Sequence, residues 1–271
     1  MILTAGGDEA RVWESHTFKP ITEPLVHGAP IKQARFAADG KIVLTTGGNE
    51  ARVWDVRKGK LRTEPIQLNA PVRHADVSRD GSRIATCERV DDRPRGRPPA
   101  IAWIVCIWNA ATGRRLLSLH RENLVTLVSF SPDGTQFLLV ELEHGSTFSM
   151  LDVQSGKERF KPIETEYGFM PTGSELVPAS FSNDGKRLVV ADVKGFQIRD
   201  ARTGKLIAEG GSVDEWNEKI HAVGFNFDGK KVVTVTNDGN AHLWAADTGL
   251  AVGRSADSIY GWSLLIFPHI F

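Results

Sequence analysis

The chain has 271 residues, with 33 basic side chains balancing 33 acidic ones and a hydrophobic fraction of 41%, so it can bury a large core and has no overall field toward nucleic acid, an anionic membrane or an acidic tail. Its two cysteines, Cys87 and Cys106, are too few for a disulfide framework and lack the paired Cys/His spacing of a zinc site; both fall on predicted strands as core filler. No apolar run is long enough to span a bilayer and the N-terminal MILTAGGDEARVW has no signal-peptide pattern, which makes the cytoplasm the default compartment.

This length exceeds the usual single domain without an obvious linker, and internal repetition reconciles the two. From the N-terminus, the first strand-like phrase is ARVWESHTFK (10–19), which stands without a hairpin before it. A phrase of the form apolar strand, Asp-Gly, basic, apolar strand then recurs as RFAADGKIVLT (35–45), DVSRDGSRIAT (76–86), SFSPDGTQFLL (129–139), SFSNDGKRLVV (180–190) and FNFDGKKVVTV (225–235). Asp-Gly between alternating β-branched runs predicts a tight hairpin, with the Asp capping local backbone and tolerating left-handed geometry.

After each hairpin comes a third strand and a Gly turn: ARVWDVRKGK (51–60), VCIWNAATGR (105–114), SMLDVQSGKE (149–158), QIRDARTGKL (197–206) and HLWAADTGLA (242–251). A fourth strand follows, as in RLLSL (115–119) and LIAEG (206–210). Four antiparallel strands per repeat predict an all-β fold, a β-propeller of four-stranded blades. From Trp13, Trp54 and Trp108 to Phe36, Val77 and Phe130 the step is 23, 23 and 22 residues, and 23 beyond Trp244 lies Phe267. Thr4 precedes Trp13 by nine residues, as Thr45 precedes Trp54.

Six blades follow, with seven or an incomplete ring as alternatives. Blades two to six fall at about 28–69, 70–122, 123–165, 176–210 and 219–257. Blade one combines 2–27 with 258–271, and the strand at 263–267 is expected to pair with 2–5 and close the ring; the competing reading is a fragment of a longer array.

The repeats resemble the WD-repeat family, whose units end in Trp-Asp after a strand of the type ArVWD. Trp54-Asp55 keeps the signature; Trp13-Glu14, Trp108-Asn109 and Trp244-Ala245 keep half of it, and Leu151-Asp152 and Arg199-Asp200 lack the Trp. KPITEPLVHGAPI (19–31) and FSPDGT (130–135) look like bacterial members. The resemblance implies a buried hydrogen-bonded set of His27, Thr46 and Trp54 in the second blade, with Asn49 in the turn position, and Asp238 with Trp244 in the sixth, so His27 is read as structural.

For chemistry, no catalytic, cofactor or metal set stands out: the eight His residues lack ligand spacing, and TAGGDEA (4–10) and TTGGNEA (45–51) lead into strands, not into a phosphate-binding helix. What differs between repeats points to function, because insertions map to loops and often to the binding face. ERVDDRPRGRPPA (88–100) is read as a loop between the second and third strands, carrying Arg89, Arg93, Arg95 and Arg97. ETEYGFMPTGSEL (164–176) carries Tyr167 and Phe169, and EGGSVDEWNEKI (209–220) carries Trp216.

In a propeller these junctions emerge on one face, which is therefore expected to bind a protein or peptide partner; no nucleic acid or membrane insertion is expected, and the sequence sets no oligomeric state. The expected function is a non-enzymatic interaction scaffold. The alternatives are a hydrolase-like propeller enzyme with a site at the central channel, or a sensor segment of a larger signalling protein.

Overall fold

Each predicted hairpin is present in the computed structural model, which describes residues 1–92, 100–143, 145–165, 179–191, 195–211, 220–236 and 239–254. The chain divides into two units, Met1–Leu139 with Leu151–Lys157, and Val140–Met150 with Glu158–Phe271. In the first, β1 (Ile2–Gly6), β2 (Glu9–Trp13) and β3 (Leu25–Val26) form a three-stranded sheet in that order. Next come β4 (Ile31–Phe36), β5 (Ile42–Gly47) and β6 (Glu50–Asp55), with β7 (Lys60–Leu61) and β8 (Ile66–Gln67) both paired to β6. A third sheet runs β9 (Val72–Val77), β10 (Arg83–Asp92), β11 (Ala100–Asn109), β12 (Arg115–Arg121).

The fourth sheet, β13 (Leu124–Phe130), β14 (Gln136–Leu142), β15 (Ser146–Asp152) and β16 (Ile163–Glu164), contains the points at which the chain divides. In the second unit, β17 (Ala179–Phe181), β18 (Arg187–Ala191), β19 (Phe196–Asp200) and β20 (Leu206–Gly210) make one sheet. β21 (Ile220–Phe225), β22 (Lys231–Thr236), β23 (Ala241–Ala245) and β24 (Ala251–Arg254) make another. The described residues thus hold six sheets, four of them four-stranded. The expected pairing of 263–267 with 2–5 lies outside the described residues.

The second strands β5 and β10 depart from a half-exposed pattern because sheets cover both of their faces. Every residue of β5 is buried. Its Ile42 and Leu44 join Val77 and Ile84 of the third sheet in one core, while Val43 packs with Ala10, Val12 and Leu25 of the first sheet. β10 repeats the arrangement, with Ile84 on one side and Ala85 and Cys87 on the other, against Phe130, Phe137 and Leu139. Burial on both faces turns an alternating pattern into a continuous apolar run.

The third strands β6, β11, β15, β19 and β23 end where a Gly turn follows, β2 ends in a turn with Phe18 at the positive-φ position, and the fourth strands are short where proline intervenes. Pro24 and Pro65 directly precede β3 and β8, and Pro162 precedes β16; a residue without an N–H cannot extend the ladder. The fourth strands β12 and β20 contain no proline and run seven and five residues.

The Asp-Gly turns differ in one respect from the expected tight turn. Only the glycine has positive φ, 67° at Gly40 and 68° at Gly134; among the described non-glycine residues Phe18 alone does. Gly40 N–H donates to the Ala37 carbonyl and Ala37 N–H to the Ile42 carbonyl, each at 2.9 Å, so the loop is longer than two residues. The aspartate acts as a cap. Asp133 Oδ1 accepts from the Ser131 hydroxyl at 2.6 Å and the Thr135 N–H at 3.0 Å. Burial alone would raise its pKa, but these hydrogen bonds outweigh it and hold the carboxyl below the usual range. The same turn recurs at Asp80 and Asp184.

In the second unit the Gly turn after β23 is packed backbone to backbone. A Cβ on Gly249 would lie 1.9 Å from the Glu209 carbonyl oxygen, and Gly249 has φ 71°. Gly249→Ala adds left-handed strain to a clash with a strand backbone, and is expected to cost about 2–5 kcal/mol. Urea denaturation checks this: the midpoint falls, and a variant with the wild-type midpoint contradicts it.

Candidate functional site

Two buried polar networks stiffen the sheets. In the first, Trp54 Nε1–H donates to Thr45 Oγ1 at 2.8 Å, and His27 Nδ1 lies 2.8 Å from the same oxygen. The other ring nitrogen, Nε2, is 3.2 Å from the Gly47 carbonyl, which can only accept, so Nε2 carries the proton and Nδ1 accepts from Thr45. Burial lowers the His27 pKa, which keeps the ring neutral.

The expected partner, Thr46, is corrected to Thr45. Thr46 Oγ1 is buried without a hydrogen-bond partner, because adjacent strand residues point to opposite faces. The nine-residue offset from Trp54 already marks Thr45. The same bond joins Trp13 to Thr4, Trp108 to Thr86 and Trp244 to Thr234, at 2.8, 2.8 and 2.9 Å. Asp238 lies outside the described residues. At the Trp position of β19, Arg199 instead donates through Nε and Nη2 to Gln197 Oε1 at 3.1 and 2.7 Å.

The second network ties successive first strands together. Ala75 N–H donates to Gln33 Oε1 at 2.9 Å, and Phe130 N–H to Asp76 Oδ2 at 2.8 Å, while Arg35 Nη1 sits 3.4 Å from Asp76 Oδ1. Val128 N–H reaches His74 Nδ1 at 3.4 Å. Burial, then the nearby Arg35 and Arg73 charges, press the His74 pKa well down, so this ring is neutral as well.

Beside these strands lies a concavity of about 870 Å3, within the range of roughly 300–1,000 Å3 typical of ligand sites. Lys32, Arg73 and Arg89 line it, with Trp103, Val90 and Leu124 supplying apolar surface. The segment Asn69, Ala70 and Pro71 forms part of the wall. Buried Glu88 pins that wall, accepting from Ala70 N–H at 2.9 Å and Asn69 Nδ2 at 3.1 Å. The Arg73 guanidinium lies 5.7 Å from the Trp103 ring centroid, a cation–π geometry.

Two of the cations reach the concavity by the same device. β4 pairs with β5 through Ile31↔Gly47 and then Gln33↔Thr46, leaving Lys32 as the extra residue of a β-bulge. β9 pairs with β10 through Val72↔Glu88 and then His74↔Cys87, leaving Arg73 in the corresponding place. A bulge re-aims a side chain that the regular ladder would send elsewhere. The sequence signal was present in the repeated phrases APIKQA (29–34) and APVRHA (70–75), each with a base two residues after proline.

The predicted 88–100 loop is corrected. β10 and β11 continue pairing through Arg89↔Trp103 and Val90↔Ala102 to Asp92↔Ala100, so most of its first half is strand, and Arg89 is held on a rigid hairpin. Arg93, Arg95, Arg97, Tyr167, Phe169 and Trp216 lie outside the described residues. Cys87 and Cys106 are buried and form no disulfide with each other; Cys106 faces Thr86 in the ladder, and burial raises its pKa. Among the described residues no group of His, Cys, Asp or Glu could hold a metal ion, and no helix is long and apolar enough to cross a membrane.

The repeated antiparallel sheets are those of an all-β chain, and likeness to a solved structure gives the fold as that of a β-propeller. The β-propeller domain of Myceliophteria thermophila Cps50 (Swd1) superposes with a TM-score of 0.66 at 14% identity, covering 93% of this chain and 82% of that one. In sequence the chain is similar to eukaryotic translation initiation factor 3 subunit I of Lodderomyces elongisporus, 27% identical over 161 residues. That match takes in 53% of this chain and 45% of the relative, so the chain spans less than half the length of the relative it matches. No protein-family model matches the chain. The relative is eukaryotic and lends no support to the bacterial likeness of 19–31 and 130–135.

Proposed function

We propose that this protein is a non-catalytic WD-repeat scaffold, a six-bladed platform that docks a protein or peptide on the face bearing the concavity. The observation that carries this is the concavity itself, where exposed Lys32, Arg73 and Arg89 share the lining with Val90, Leu124 and the largely buried Trp103. Arginine is among the side chains enriched at interface hot spots. The proposed interface extends to Arg93, Arg95, Arg97, Tyr167, Phe169 and Trp216. The name of the sequence relative, a subunit of an initiation factor, supports a role within an assembly.

Affinity capture with the intact chain and with the Arg73→Glu/Arg89→Glu variant tests the proposal. The variant is expected to keep its thermal midpoint and lose the captured partner. Equal capture by both proteins sinks the assignment of this face.

A further inference from the structure

Resting on that docking face, we infer the chemistry of its occupant: an acidic peptide segment of a partner protein, whose carboxylates are held by Lys32, Arg73 and Arg89. All three are exposed, and among the described residues none is ion-paired. The described lining contains no acidic residue. Glu88, the carboxylate behind the wall, is 1% exposed and already accepts from Asn69 and Ala70, so it does not neutralise the cations from within the pocket. The charge is therefore left for a ligand.

The arrangement favours an extended chain over a single anion. Lys32 and Arg73 are equivalent bulge residues on the first strands of two consecutive sheets, so the positive charge is contributed by more than one sheet and can meet more than one carboxylate of an acidic peptide. Trp103 supports the Arg73 guanidinium from one face, which leaves the planar N–H fork free for bidentate pairing with a carboxylate. Long nucleic acid is disfavoured because the chain as a whole is neutral, with 33 charges of each sign, and a tracking polyanion needs a longer basic stripe.

Fluorescence anisotropy with labelled octaglutamate tests this, alongside octalysine, octaserine and an octathymidylate strand. Octaglutamate is expected to bind with an affinity that falls as salt rises, and the other probes to bind more weakly. Arg73→Glu/Arg89→Glu is expected to weaken octaglutamate by about tenfold or more, while Lys230→Glu, an exposed base in the second unit, leaves it unchanged. Undiminished binding to the double variant, or tighter binding of octathymidylate, overturns the inference. If octaglutamate does not bind yet the double variant loses its captured partner, the docking face stands and the acidic chemistry is wrong.

Discussion

Asp76→Ala is expected to destabilise the protein by about 3–5 kcal/mol, the usual cost of removing one member of a buried ion pair. The carboxylate is 2% exposed and has two tasks. Oδ2 accepts the Phe130 backbone N–H at 2.8 Å, linking β9 to β13, and Oδ1 faces Arg35 of β4 at 3.4 Å. Alanine leaves a buried N–H and a largely buried guanidinium without this acceptor. Urea unfolding reads the loss directly, and Arg35→Ala/Asp76→Ala completes a cycle. If the double variant is no more stable than the sum of the single losses predicts, Arg35 and Asp76 are uncoupled and the account of the lacing fails.

Thr45→Val is expected to cost about 3 kcal/mol, while Thr46→Val is neutral or slightly stabilising. Thr45 Oγ1 accepts from Trp54 and donates to His27; valine keeps the volume and orphans both buried partners, at about 1–3 kcal/mol each. Thr46 Oγ1, one residue on, is buried with no hydrogen-bond partner, so replacing its hydroxyl by a methyl removes a desolvated polar group. The two variants differ by one position and have the same chemistry, which makes them a sharp test. Equal midpoints for Thr45→Val and Thr46→Val would falsify the assignment of Thr45 to the network.

The strand order within each repeat was legible in the chain because it rests on local signals. Apolar runs, Asp-Gly turns and the Trp at the end of each third strand recur at a near-constant period, and the turn chemistry needs only neighbouring residues: Asp133 bonds Ser131 and Thr135. The Trp54–Thr45 pair was within reach for the same reason, since a nine-residue hairpin offset specifies which threonine faces the indole. Choosing Thr46 misjudged a strand's two-residue period by one step.

What the tertiary structure alone decided is non-local. Whether the segment from Glu88 onward is loop or strand depends on Arg89 finding Trp103 across a hairpin, and polarity along the chain gave no hint of that. The phrases APIKQA and APVRHA mark Lys32 and Arg73 as equivalent positions, but only the bulges show that both line one concavity. The amino-acid order sufficed for the repeat and its turns, whose energies come from residues a few positions apart. Where the charges converge was settled by packing, because strands remote in sequence must pair before a side chain has a direction.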